Sequence, residues 1–167
     1  SDTNLNKIGF EQAKMASVII KKIKIDALYA SDLKRAFQTA QIISQEIKIT
    51  VTPEPLLRER TFGDLEGYTS KEATKIHSNF SWDSGFTDSG SKLLGIESNT
   101  QMKKRIIKLL NKLASIHKNQ NILLVTHGGI IWNFIEYFNL IDSIVDFDKF
   151  FANAGVTILK KTKGGYT

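Results

Sequence analysis

Apolar positions along the chain alternate between two periodicities, and the alternation predicts the elements. Asn6 can cap a helix starting near Lys7, with Ile8, Ala16, Ile19, Ile20 and Ile23 as a stripe at helical spacing. Asp26-Ala-Leu-Tyr-Ala30 is short and apolar and runs into Ser31-Asp32, the pattern of a buried strand ending at a helix cap. A helix follows over Leu33–Ile47, burying Ala36, Phe37, Ala40 and Ile43, and Ile49–Thr52 reads as a second strand stopped by Pro53 and Pro55. Residues 67–98 are the least regular part, with short helices expected at Ser70–His77 and Phe80–Ser84 and a loop at Thr87–Gly95. Helical period returns over Asn99–His117, where Met102, Ile106, Leu109, Leu110 and Leu113 share a face. Asn121–Thr126 is a continuous apolar run typical of a buried parallel strand. Gly128-Gly129 follows, then a helix through Phe138, and a last strand at Val156–Lys160 completes the pattern. Alternating strands and helices predict an α/β domain, with helices on both faces of a mainly parallel sheet.

A chain of 167 residues with 41% hydrophobic content suits one packed domain, spanning 1–167. Zero cysteines exclude disulfides, thiolate zinc sites and cysteine nucleophiles. No apolar run is long enough to span a bilayer and no signal-peptide pattern is present, so the expected location is cytoplasmic, without a membrane partner. The net charge of +6 invites a nucleic-acid or anion reading. Of the 23 basic residues, 19 are lysines scattered along the chain, the pattern of a solvated surface. With no basic-aromatic motif or arginine-lined helix, a nucleic-acid partner is not expected. The four arginines, Arg35, Arg58, Arg60 and Arg105, matter more, because the guanidinium fork suits phosphate or carboxylate.

Ligands of such sheets bind beyond the carboxyl ends of the strands, where three segments place polar groups. In Tyr29-Ala-Ser-Asp-Leu-Lys-Arg35, Arg35 lies one turn into a helix whose first N–H groups favour an anion; equally, Ser31 or Asp32 is a plain cap. In Leu57-Arg-Glu-Arg-Thr-Phe-Gly63, Glu59 sits between two arginines, as a proton donor in an anion pocket or as a surface ion pair. In Val125-Thr-His-Gly-Gly-Ile130, His127 ends a buried strand before glycines that allow close backbone approach; it is an acid, base or nucleophile, or a structural donor to a carbonyl. His77 and His117 lie among polar residues and are expected at the surface, and three histidines so separated, without a local ligand pair, give only a weak metal signal, so no metal is expected.

Together these segments resemble the histidine phosphatase superfamily, whose members include phosphoglycerate mutase-like enzymes. The resemblance is carried by Leu5–Ala13, Ala30–Ala40, Leu57–Gly67, Val125–Gly128 and Asn153–Thr157 in that order, with Gly95-Ile-Glu-Ser98 similar to the family's Gly-Glu-Ser turn. It implies a three-layer α/β/α fold and phosphomonoester hydrolysis through a phosphohistidine, on a small phosphorylated substrate and without cofactor or metal. By position, Arg35 binds phosphate, Glu59 donates the proton and His127 is the second, phosphate-binding histidine. Arg60, Gly128, Glu97 and Ser98 are candidate substrate-side residues, and 67–101 is the variable substrate-side segment.

One departure is large. The family's nucleophile belongs to an Arg-His-Gly motif after a first strand, upstream of the Leu5–Ala13 match, and neither is present here. The expectation is an N-terminally incomplete domain, inactive by itself, with the nucleophilic histidine outside this chain. If Ser1 were the native start, a non-catalytic phospholigand-binding domain would be the better reading. Mutase-type transfer is the other alternative, but 67–101 lacks the paired arginines of mutases, which favours hydrolysis.

Overall fold

The computed structural model describes residues 2–77, 80, 85–141, 152–162 and 165–166. Helix α1 (Lys7–Ile20) begins as expected, the Asn6 side chain accepting from Gly9 N at 2.8 Å. It is followed by β1 (Ala27–Ala30), α2 (Lys34–Ile47) and β2 (Val51–Pro53). Next come 3-10 turns at Pro55–Leu57 and Gly63–Leu65, then α3 (Ser70–Ile76), α4 (Asp88–Lys92), α5 (Asn99–Ile116), β3 (Ile122–Val125) and α6 (Gly128–Tyr137). A two-residue antiparallel pair, β4 (Lys161–Thr162) with β5 (Gly165–Tyr166), is separate from the main sheet.

The main sheet is parallel in the order β2-β1-β3, with Ala30 level with both Pro53 and Val125. Its three carboxyl ends therefore open at one height, and Ser31, Glu54 and Thr126 follow there side by side. Strand alternation sorts the two faces. Leu28, Ala30, Leu123 and Val125 pack under α1 and α2, whereas Tyr29, Ile122 and Leu124 meet Leu109 and Leu113 of α5 and Leu57. This is the three-layer α/β/α arrangement the pattern predicts. Pro53, which has no N–H, sits at the end of a strand that is a border of the sheet among the described residues, where that donor is dispensable.

Several expectations need correction. Ile8 and Ile19 are exposed, because α1 buries the face of Ala13, Ala16, Ser17 and Ile20, with Ala16 and Ile20 packed against Ile43 of α2. The buried strand expected over Asn121–Thr126 is β3, yet all four of its residues are half-buried, since it is a border of the sheet among the described residues. Val156–Lys160 is not a strand; pairing starts only at Lys161. The expected loop at Thr87–Gly95 contains α4, capped by Thr87 accepting from Gly90 N at 3.2 Å. The expected helix at Phe80–Ser84 falls mostly outside the described residues. His77 and His117 are half-buried; His117 bonds to Tyr29 Oη at 2.7 Å and Gln120 Oε1 at 2.6 Å. No helix among the described residues is long and apolar enough to cross a membrane.

Candidate active site

Beyond the strand ends, β1 delivers Ser31 and the start of α2, and β3 delivers His127 and the start of α6. Ser31 is fully buried, and its Oγ lies 2.8 Å from His127 Nε2 while accepting from Leu33 N at 3.3 Å. The cap expected of Ser31 or Asp32 is thus divided. Asp32 is turned away to Arg58, which donates through Nε at 2.7 Å and Nη2 at 2.5 Å, and Lys34 N at the head of α2 donates instead to Asp2 Oδ1 at 2.6 Å. Arg58 beside it holds the Asp32 carboxyl below the usual carboxylate range.

His127 is 7% exposed. Burial, with the positive charges of Arg35 and Arg105, pushes its pKa down to about 4, so the imidazole is neutral at physiological pH. Arg35, in the first turn of α2, is therefore close enough to act on His127, and it lines an open cleft of about 770 Å³ together with Arg58, Glu59, Thr61, Glu66 and Tyr68. A neighbouring cleft of about 760 Å³ is bordered by Lys92, Glu97, Ser98 and Lys104. The two share Arg58, Glu59 and Thr61, so Glu59 stands on the wall between them.

Glu59 is half-buried, and both carboxylate oxygens accept backbone N–H groups, from Arg60 at 2.8 Å and from Gly129 in the first turn of α6 at 3.2 Å. The approach explains the glycine pair. A Cβ on Gly129 would collide with Glu59 Oε1, whereas a Cβ on Gly128 would meet open space. Thr126 Oγ1 donates to Leu57 O at 2.7 Å and ties the end of β3 to the loop that carries Glu59.

The structure brings Arg35, Glu59, His127 and Gly128 together at the heads of α2 and α6. The three other candidates border the same two clefts but are held in contacts with the protein. Arg60 is buried, donating to Glu97 O and Asn99 Oδ1, each at 2.6 Å, with its guanidinium 4.3 Å from the centre of the Phe86 ring. Burial lowers the Arg60 pKa. Glu97 is held by Arg105 through both oxygens, at 2.7 and 2.6 Å. Ser98 caps α5, accepting from Gln101 N at 3.2 Å, and donates to Asp88 at 2.5 Å. Sequence reasoning missed Ser31 as the partner of His127, and it missed Arg105. The available signal for Arg105 was its rarity as one of four arginines, eight residues after Glu97. Among the described residues no three His, Cys, Asp or Glu side chains converge as metal ligands would.

Comparison with known proteins agrees with this architecture. The chain is 39% identical over 139 residues to phosphoglycerate mutase-like protein 4 of Arabidopsis thaliana, covering 81% of this chain and 60% of that protein. It is 32% identical over 132 residues to putative phosphoserine phosphatase 2 of Hydrogenobacter thermophilus, covering 78% and 64% respectively. The chain thus spans less than two thirds of the length of either relative. Its fold matches Bacillus stearothermophilus YhfR with a TM-score of 0.76 at 20% identity, over 99% of this chain and 83% of that one. A mycobacterial glucosyl-3-phosphoglycerate phosphatase matches with a TM-score of 0.71 at 24% identity, over 83% and 69%. With all of residues 1–167 matched by the family model of the histidine phosphatase superfamily (branch 1), the chain belongs to that superfamily.

Proposed function

We propose that this domain hydrolyses small phosphomonoesters through a phosphohistidine, the nucleophilic histidine being supplied from outside these 167 residues. The observation that carries the reading is the meeting of Arg35, Glu59 and His127 at two helix N-termini, where backbone N–H groups and a guanidinium favour a dianion. In the first step the nucleophile's nitrogen bonds to phosphorus, the ester P–O bond breaks, and Glu59 gives its proton to the leaving oxygen. In the second, Glu59 takes a proton from water as the water oxygen attacks phosphorus and the P–N bond breaks. Arg35 and the neutral imidazole of His127 bind the phosphoryl oxygens throughout.

Expected substrates are small, with the phosphoryl group against Arg35 and the alcohol portion in the clefts that residues 67–70 and 88–101 help to border. Mutase-type transfer is the second reading, favoured by the name of the 39%-identical relative. The test is phosphate release from alkyl and aryl phosphomonoesters by the full-length protein carrying this sequence, with acid-labile phosphate trapped on the protein. Arg35→Ala and His127→Ala should each abolish most turnover. Hydrolysis unaffected by Arg35→Ala would overturn the proposal, and transfer to a second phosphoglycerate in place of release would favour the mutase reading.

A further inference from the structure

We infer that Arg105, locked to Glu97, is the positioning residue that aims Glu59. The inference rests on the phosphoryl-transfer reading, in which Glu59 must deliver a proton to one oxygen atom.

Arg105 lies near the start of α5, and the network around it is built in one piece. Its Nε and Nη2 donate to the two oxygens of Glu97 at 2.7 and 2.6 Å. Its Nη1 donates to the carbonyls of Leu56 at 2.7 Å and Arg58 at 2.8 Å. The Arg58 carbonyl belongs to the peptide that leads into Glu59. Both side chains of the Arg105–Glu97 pair are only 16% exposed, so solvent competes weakly for these bonds.

On the far side of Glu59 the chain is tied to the same anchor. Arg60 donates to the Glu97 carbonyl, and Glu97 N donates to Thr61 O at 2.8 Å. Glu97 therefore holds the backbone after Glu59 directly and the backbone before it through Arg105. Glu59 itself is placed by two backbone N–H contacts, one of them as long as 3.2 Å, so small shifts of its loop become shifts of its carboxyl group. A lysine at 105 could not serve a carboxylate and two carbonyls at once from a planar fork.

The test exploits the leaving group. Expulsion of an alkoxide needs the proton from Glu59, whereas p-nitrophenolate leaves without one. In the full-length protein, Arg105→Lys and Glu97→Gln should lower kcat/KM for glycerol phosphate by roughly 10- to 100-fold, part of what a general acid contributes. For p-nitrophenyl phosphate the loss should stay below about 3-fold, because no proton transfer assists that leaving group. Glu59→Gln should show the same bias more strongly. Equal losses on both substrates in Arg105→Lys would mean a merely structural role and would overturn the inference. If that variant fails to fold, Glu97→Gln decides by the same criterion. A Glu59→Gln variant without leaving-group bias would instead overturn the assignment of Glu59 as proton donor, a separate failure.

Discussion

Lowering the pH should destabilise this protein through His127, and the size of the effect follows from its surroundings. The folded imidazole protonates only near pH 4, held neutral by burial and by Arg35 and Arg105, against 6.5 for an unperturbed histidine. Between those values the unfolded chain binds the proton and the folded protein does not. Stability contributed by His127 is therefore fully present above about pH 6.5 and is lost as pH falls towards about 4. At pH 5 the loss is about 2 kcal/mol, approaching about 3 kcal/mol once both states are protonated, at 1.36 kcal/mol per pKa unit. Carboxylates add their own slopes, so urea unfolding should be compared between the wild type and His127→Gln at pH 7.5 and 5.0. The wild type should lose about 2 kcal/mol more than the variant over that interval. Proton NMR should show the His127 ring unprotonated at pH 5.5, and inorganic phosphate should raise its midpoint by placing negative charge beside Arg35. A His127 ring titrating near pH 6.5 in the anion-free protein would refute the reasoning, as would equal pH slopes for the two proteins.

The two adjacent glycines at the head of α6 should behave differently. Gly129→Ala forces a methyl group against the Glu59 carboxyl, and should lower kcat at least 10-fold if the acid is displaced by about an ångström. Gly128→Ala meets open space, so its folding stability should stay within about 0.5 kcal/mol of wild type; equal destabilisation of both in urea would contradict the geometry. Gly63 combines a φ of +53° with direct contact against the backbone of Leu94 and Gly95. Gly63→Ala should cost roughly 2–4 kcal/mol in chemical denaturation, from left-handed backbone and overpacking together.

Local periodicity and the places where strands end are legible in the sequence because they depend on neighbours in the chain. The helix starting at Lys7, the buried face Met102–Ile106–Leu109–Leu113 and the end of β3 just before Thr126-His127 all follow from spacing and turn residues. What spacing could not supply is the direction in which a charged side chain turns once helices dock. Arg58 and Arg60 flank Glu59 alike in sequence, yet one clasps Asp32 at the surface and the other is buried beneath Phe86. Burial of strands was misjudged for a similar reason: an all-apolar run reads as interior, but the exposure of β3 is set by which strands lie beside it.

The division between the arginines gives the site its logic. A dianion site needs positive charge, yet it also needs a carboxyl group that stays in place beside that charge. Arg58 donates to Asp32, Arg60 to Glu97 and Asn99, and Arg105 to Glu97 and two carbonyls. Each of these contacts either fixes the loop carrying Glu59 or joins that loop to the head of α2. Arg35 stands in the first turn of α2 and lines the cleft, where helix N–H groups favour an anion. The net charge of +6 is therefore a poor guide to function in this protein. In the proposed reading, Arg58, Arg60 and Arg105 hold the loop that carries Glu59, and Arg35, the heads of α2 and α6 and the neutral imidazole of His127 take the phosphoryl group.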